Sequence, residues 1–253
     1  MRVKLFLILS VLSCAQANAA VNMEELKPDD VVKTSVSLGE RTYPLPAGDW
    51  HVIARYSSNG LDWAGNPFPV RNVLLAQYKN KALFSMLRLI SSPKNIPGVS
   101  RRHEWKDDPC GNLKEVYLKN TLQGNYNLPE CLYVKPILGF GLGTGAYWGD
   151  ANRRIQEAGA SIPPVALYVD YNYFRDGGFV HYSVWLNPDI AGIPRDPTRL
   201  AIDSKWGVKN ITGQYKQFVD QASSWAYQLA ASVKSSYKDD FQPIPDLPYP
   251  ADK

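Results

Sequence analysis

Between residues 212 and 237 the apolar side chains recur at three- and four-residue spacing. Tyr215, Phe218, Val219, Ala222, Trp225, Ala226, Leu229 and Val233 form one stripe. No proline interrupts it and no glycine follows Gly213, so the pattern predicts a long helix over 212–237 with one face to bury. Elsewhere the period is two. Residues 165–174 and 179–186 read as paired strands, and Arg175-Asp176-Gly177-Gly178 between them carries the Asp-Gly and Gly-Gly signals of a tight turn. Residues 70–78 and 82–90 read as a second hairpin, joined at Lys79-Asn80-Lys81 without the favoured Asn-Gly pair. Strict alternation over 50–56 puts Trp50, Val52, Ala54 and Tyr56 on one face and His51, Ile53 and Arg55 on the other. A short strand is expected over 132–137, and a helix over 150–158 that stops at Gly159.

The remaining segments lack a period. Residues 20–40 are polar and charged and read as a lead-in. Residues 57–69 form a turn-rich loop, and Pro188, Pro194 and Pro197 mark another. Residues 91–131, with Pro93, Pro97, Pro109 and Pro129, are long for an irregular stretch in a compact domain unless it is functional or stapled. The tail, 241–253, carries Pro243, Pro245, Pro248 and Pro250 and cannot continue the helix. The expected fold is α+β, a single domain over 41–240: a mostly antiparallel sheet with the long C-terminal helix packed on one face.

The N-terminus indicates where the chain works. Arg2 and Lys4 precede an apolar run from Leu5 to Leu12, and Ala17-Asn18-Ala19 matches an A-x-A cleavage site, so residues 1–19 read as a secretory signal peptide. The run is too short for a transmembrane helix, and none is expected. Val11-Leu12-Ser13-Cys14 offers the rival of a lipid anchor at Cys14, weakened by the bulky Leu12 and by the better site downstream. Cleavage after Ala19 leaves Cys110 and Cys131, which in a periplasmic or secreted chain read as one disulfide; the alternative is two buried thiols. The formal charge of +4 falls by two with the loss of Arg2 and Lys4, so no nucleic-acid partner is expected.

Motifs that would carry chemistry fail on spacing. In Leu138-Gly139-Phe140-Gly141-Leu142-Gly143-Thr144-Gly145 the third glycine comes one residue too early for a dinucleotide fingerprint, and no G-K-[ST] follows for a P-loop. The alternation bares one side of an extended segment and suggests a close crossing past something bulky, the C-terminal helix or an aromatic cluster. His103-Glu104 begins like a zincin helix, but Asp107 stands where the second histidine belongs. His51 and His181 sit alone in strands. Ser91-x-x-Lys94 and Ser235-x-x-Lys238 lack the helix context and companion motifs of penicillin-binding enzymes. Asp170-x-Asn172 opens like a calcium loop, but Phe174 breaks the pattern. No metal, no cofactor and no catalytic residue is marked.

One loop keeps a binding chemistry. Asn59, Asp62, Trp63 and Asn66 bring amides, a carboxylate and an aromatic face together between two strands, the groups that sugar or peptide recognition uses, although a plain connector has the same composition. Fifteen tyrosines and seven tryptophans add aromatic surface or aromatic core. The expected function is an exported, non-catalytic protein that binds an envelope protein or glycan through loops and aromatic surface. The alternative is a hydrolase of an envelope polymer, using Asp or Glu residues that no motif marks.

Overall fold

The computed structural model describes residues 20–61, 65–96, 110–111, 113–123, 129–140, 143, 145–200 and 203–249. Its hairpins fall where the period-two patterns lie. Strands β6 (Pro67–Lys79) and β7 (Ala82–Ser91) pair antiparallel across a turn in which Asn80 and Lys81 both take positive φ. Strands β10 (Val165–Arg175) and β11 (Gly178–Leu186) pair across Asp176 and Gly177, again both at positive φ. A side chain at Gly177 would lie 2.1 Å from the Ile96 carbonyl oxygen, so the turn needs both the conformation and the bareness of glycine.

These hairpins form the centre of an eight-stranded antiparallel sheet of order β2-β5-β6-β7-β11-β10-β9-β8. The outer members are β2 (Val31–Val32), β5 (Trp50–Leu61), β9 (Glu130–Leu138) and β8 (Leu118–Gln123). Strands β1 (Val21–Asn22), β3 (Ser35–Leu38) and β4 (Arg41–Pro44) make a separate three-stranded sheet. The long helix α2 (Gly213–Tyr237) packs against β4, β9 and β10.

Each face of the large sheet has its own core. On one face Val73, Leu75, Leu87, Leu89, Val169, Tyr171, Tyr182 and Val184 meet the α2 stripe and the small sheet. On the other, Leu74, Ala76, Met86, Ala166 and Trp185 lie under Ala151 and Ile155 of α1 (Ala146–Glu157). Strand β5 departs from the expected alternation. His51 and Val52 face Ala76 and Leu75, but Ala54 faces Leu74, so Ile53 is the extra residue of a bulge. The phase therefore flips: Trp50 and Val52 enter the α2 core, whereas Ile53 and Ala54 enter the α1 core.

Two segments without periodicity are built into the fold. The 20–40 stretch, expected as a lead-in, supplies β1, β2 and β3 and buries Met23, Leu26, Val32, Val36 and Leu38. Its apolar residues come from turns and strands of two to four residues, so no single period relates them all. The proline-rich tail runs back across α2 as a strap. Trp225 Nε1–H donates to the Pro245 carbonyl and Ser232 Oγ–H to that of Pro243, while Ile244 and Leu247 are buried. Tyr249 closes the strap, donating to the Phe84 carbonyl and accepting the Asn187 N–H, both at 2.8 Å.

Cys110 and Cys131 are joined in a disulfide, with Cα atoms 5.1 Å apart and a sequence separation of 21. It ties the irregular region to β9 and, on the loop-entropy model, contributes roughly 2–4 kcal/mol. Among the described residues no helix is long and apolar enough to cross a membrane.

Candidate functional site

Helix α1 covers only part of its sheet face. Beyond it the same strands floor an open cavity of about 760 Å³. Register decides what the floor presents. Across β6, β7, β11, β10 and β9 one row runs Leu74, Arg88, Ser183, Asp170, Tyr133. The next row runs Asn72, Ile90, His181, Asn172, Cys131. Positions two apart share a face, so both rows point to the α1 side, and most of their residues line the cavity.

Asp170 is the hub of the floor and is only 1% exposed. Its Oδ1 accepts from Tyr168 OH (2.7 Å), Ser183 Oγ (2.6 Å) and His181 Nε2 (2.5 Å), and its Oδ2 accepts from Asn172 Nδ2 (2.6 Å). Burial alone would raise this carboxyl. Attraction to His181 and the hydrogen bonds from His181, Ser183 and Tyr168 outweigh burial and hold it down at about 2. The group is thus an ionised, acceptor-only carboxylate at neutral pH, so His181 carries its proton on Nε2 and its Nδ1 is not engaged by Asp170. Burial first, then the Asp170 charge, pushes the phenols of Tyr133 and Tyr168 well up, so both stay protonated.

Arg88 lies one position along the same row. Its guanidinium sits 5.8 Å from the Tyr147 ring centre and 5.3 Å from that of Trp148, and its Nε–H reaches Asn72 Oδ1 at 3.4 Å. Tyr147 OH donates to the same Asn72 oxygen at 2.8 Å. Among the described residues no carboxylate pairs with Arg88. The walls are aromatic and aliphatic: Tyr56 beside Tyr147, Phe68 edge-on to Phe179, and Val70. Cys110 lines the cavity too, so the disulfide anchors part of its wall.

The glycine alternation ends at this wall. A side chain at Gly143 would lie 2.8 Å from the Trp148 indole, so a bare residue lets the chain pass against that ring. Gly145 then takes positive φ and caps α1, which starts at Ala146, four residues before the expected start. Gly141, Leu142 and Thr144 lie outside the described residues.

Of the residues expected to bind a ligand, Asn59 is exposed on β5 opposite Pro69 of β6, and Asn66 is exposed just before β6. Asp62 and Trp63 lie outside the described residues, as do His103 and Asp107. The flanking residues Ser58, Gly60, Leu61 and Phe68 line the cavity, which places the loop's two ends at its edge. No sequence motif marks the floor as a unit, since Asp170-x-Asn172 and His181 lie on different strands. The signal that unites them is the turn: pairing Arg175 with Gly178 puts Asn172 opposite His181 and Asp170 opposite Ser183. No family model matches this chain and no curated protein or solved structure is significantly similar to it, so what the cavity can do follows from the residues that line it.

Proposed function

We propose that the protein is exported and that it captures a small, largely apolar ligand in the cavity over the Asp170–His181 floor. The observation that carries this reading is the cavity itself: about 760 Å³, walled by aromatic and aliphatic side chains over a few convergent polar groups. The floor is pre-organised, because every oxygen of Asp170 is held by protein donors before a ligand arrives. The same geometry supports binding over hydrolysis. Ser183 and His181 both donate to Asp170 Oδ1, so they do not form the chain of nucleophile, base and orienting acid that acyl transfer uses. Among the described residues Asp170 is also the one carboxylate that lines the cavity, whereas glycoside hydrolysis uses two.

Export is supported by the N-terminal charge and apolar run and by the disulfide. N-terminal sequencing of the processed chain should begin at Ala20; a start at an acylated Cys14 would instead mark a lipoprotein. Ligand capture is tested with N-phenyl-1-naphthylamine, an uncharged aromatic fluorophore. The processed protein should give a saturable rise in its fluorescence while keeping native near-ultraviolet circular dichroism. A native protein that gives no saturable signal would sink the reading.

A further inference from the structure

We infer that the cavity takes an organic anion: an apolar, ring-sized body carrying one carboxylate, sulfonate or phosphate-type group that pairs with Arg88. The inference rests on the proposed ligand-capture role and adds the class of ligand.

The two charged groups of the floor row are not equivalent. Asp170 is 1% exposed, and both of its oxygens already accept from side chains of its own strand and of the neighbouring β11. A cationic ligand would have to displace those donors and leave them unpaired, which is unfavourable in a buried site. Arg88 is half-buried and lines the same cavity. Among the described residues its hydrogen bonds reach neutral groups alone, the long one to Asn72 Oδ1 and one to the Tyr147 hydroxyl, and its flanks are the π faces of Tyr147 and Trp148. A guanidinium has five N–H donors in a planar fork. Most of that fork therefore lacks a strong acceptor, and an anion in the cavity would supply one.

The rest of the lining fits the other half of such a molecule. Ile90 lies between Arg88 and the cavity's aromatic end, where Phe68 meets Phe179 at 5.9 Å, and Tyr56 meets Tyr147 at 6.5 Å on a further wall. A ring-bearing body can pack there while its charged end reaches the guanidinium. His181 lines the same floor and its Nε2 is taken by Asp170, so its orientation is fixed before the anion enters.

A matched pair of dyes tests this. 8-Anilinonaphthalene-1-sulfonate is N-phenyl-1-naphthylamine with one sulfonate added. Wild-type protein should bind the sulfonate at least about tenfold more tightly than the neutral dye, the range for a charge-assisted hydrogen bond in a shielded site. Arg88→Met should abolish that preference by weakening the sulfonate alone, and Arg88→Lys should retain part of it. Adding salt should weaken the sulfonate and not the neutral dye. Equal binding of both dyes by wild type, or a sulfonate affinity unchanged in Arg88→Met, would overturn the anion assignment while leaving the cavity as a site for neutral ligands. Failure of both dyes to bind would overturn the ligand-capture reading beneath it. The wild-type comparison needs no variant, so it decides the question even if Arg88→Met folds poorly.

Discussion

Replacing Phe218 with alanine is expected to cost about 3–5 kcal/mol of unfolding free energy, the range for truncating a well-packed aromatic residue. Phe218 is 2% exposed on the buried stripe of α2. Its ring stacks 6.2 Å from that of Tyr249, which also contacts Phe84 at 4.5 Å and closes the C-terminal strap. The lost ring would therefore leave a void where helix, sheet and strap meet, and none of the three can collapse to fill it without breaking the Tyr249 hydrogen bonds. Urea unfolding at constant m-value checks the figure. Tyr227, 42% exposed on the opposite side of the same helix, supplies the control: Tyr227→Ala should change stability by no more than about 0.5 kcal/mol. A loss below about 1 kcal/mol for Phe218→Ala would mean that α2 is peripheral.

Asp170→Ala is expected to have a comparable effect for a different reason. It would strand the donors of Tyr168, Ser183, His181 and Asn172 in a shielded floor, at a cost of roughly 3–5 kcal/mol. The charge adds a pH signature. The carboxyl sits at about 2 in the folded chain, whereas an unfolded aspartate titrates near pH 3.9. A depressed folded value means that the stabilisation is fully present above about pH 4 and is lost as pH falls through about 2. Between pH 5 and pH 2.5 the wild type should thus lose about 1–2 kcal/mol through this group, a loss that Asp170→Asn would not share. Parallel acid profiles for wild type and Asp170→Asn would show that the hub contributes no charge-dependent stability.

How much of this was legible in the sequence depends on the reach of each contact. The α2 stripe and both hairpins are local patterns, and the sheet uses them as read. The α+β architecture follows from them. The bulge at Ile53 was not legible, because one inserted residue is invisible until the partner strand fixes the register. The 20–40 strands escaped because none is longer than four residues, too short for an alternation to stand out. In the site, the Asp170–Ser183 and Asn172–His181 pairs follow by counting outward from the Asp176-Gly177 turn. Arg88 does not, since β7 and β11 are far apart in the chain and only the assembled sheet makes them neighbours. The choice of the 57–69 loop rested on composition, which identifies sticky chemistry but not concavity. The cavity is a property of eight paired strands and of a helix that covers part of one face.

The most direct test of the central claim is the N-phenyl-1-naphthylamine titration of Ile90→Trp. Ile90 lies mid-floor between Asn72 and His181, so an indole there would occupy the space a ligand needs while touching neither core. Ile90→Trp should keep the wild-type urea midpoint and lose the saturable fluorescence that wild type gives. Wild-type dye affinity in a folded Ile90→Trp protein would contradict the claim.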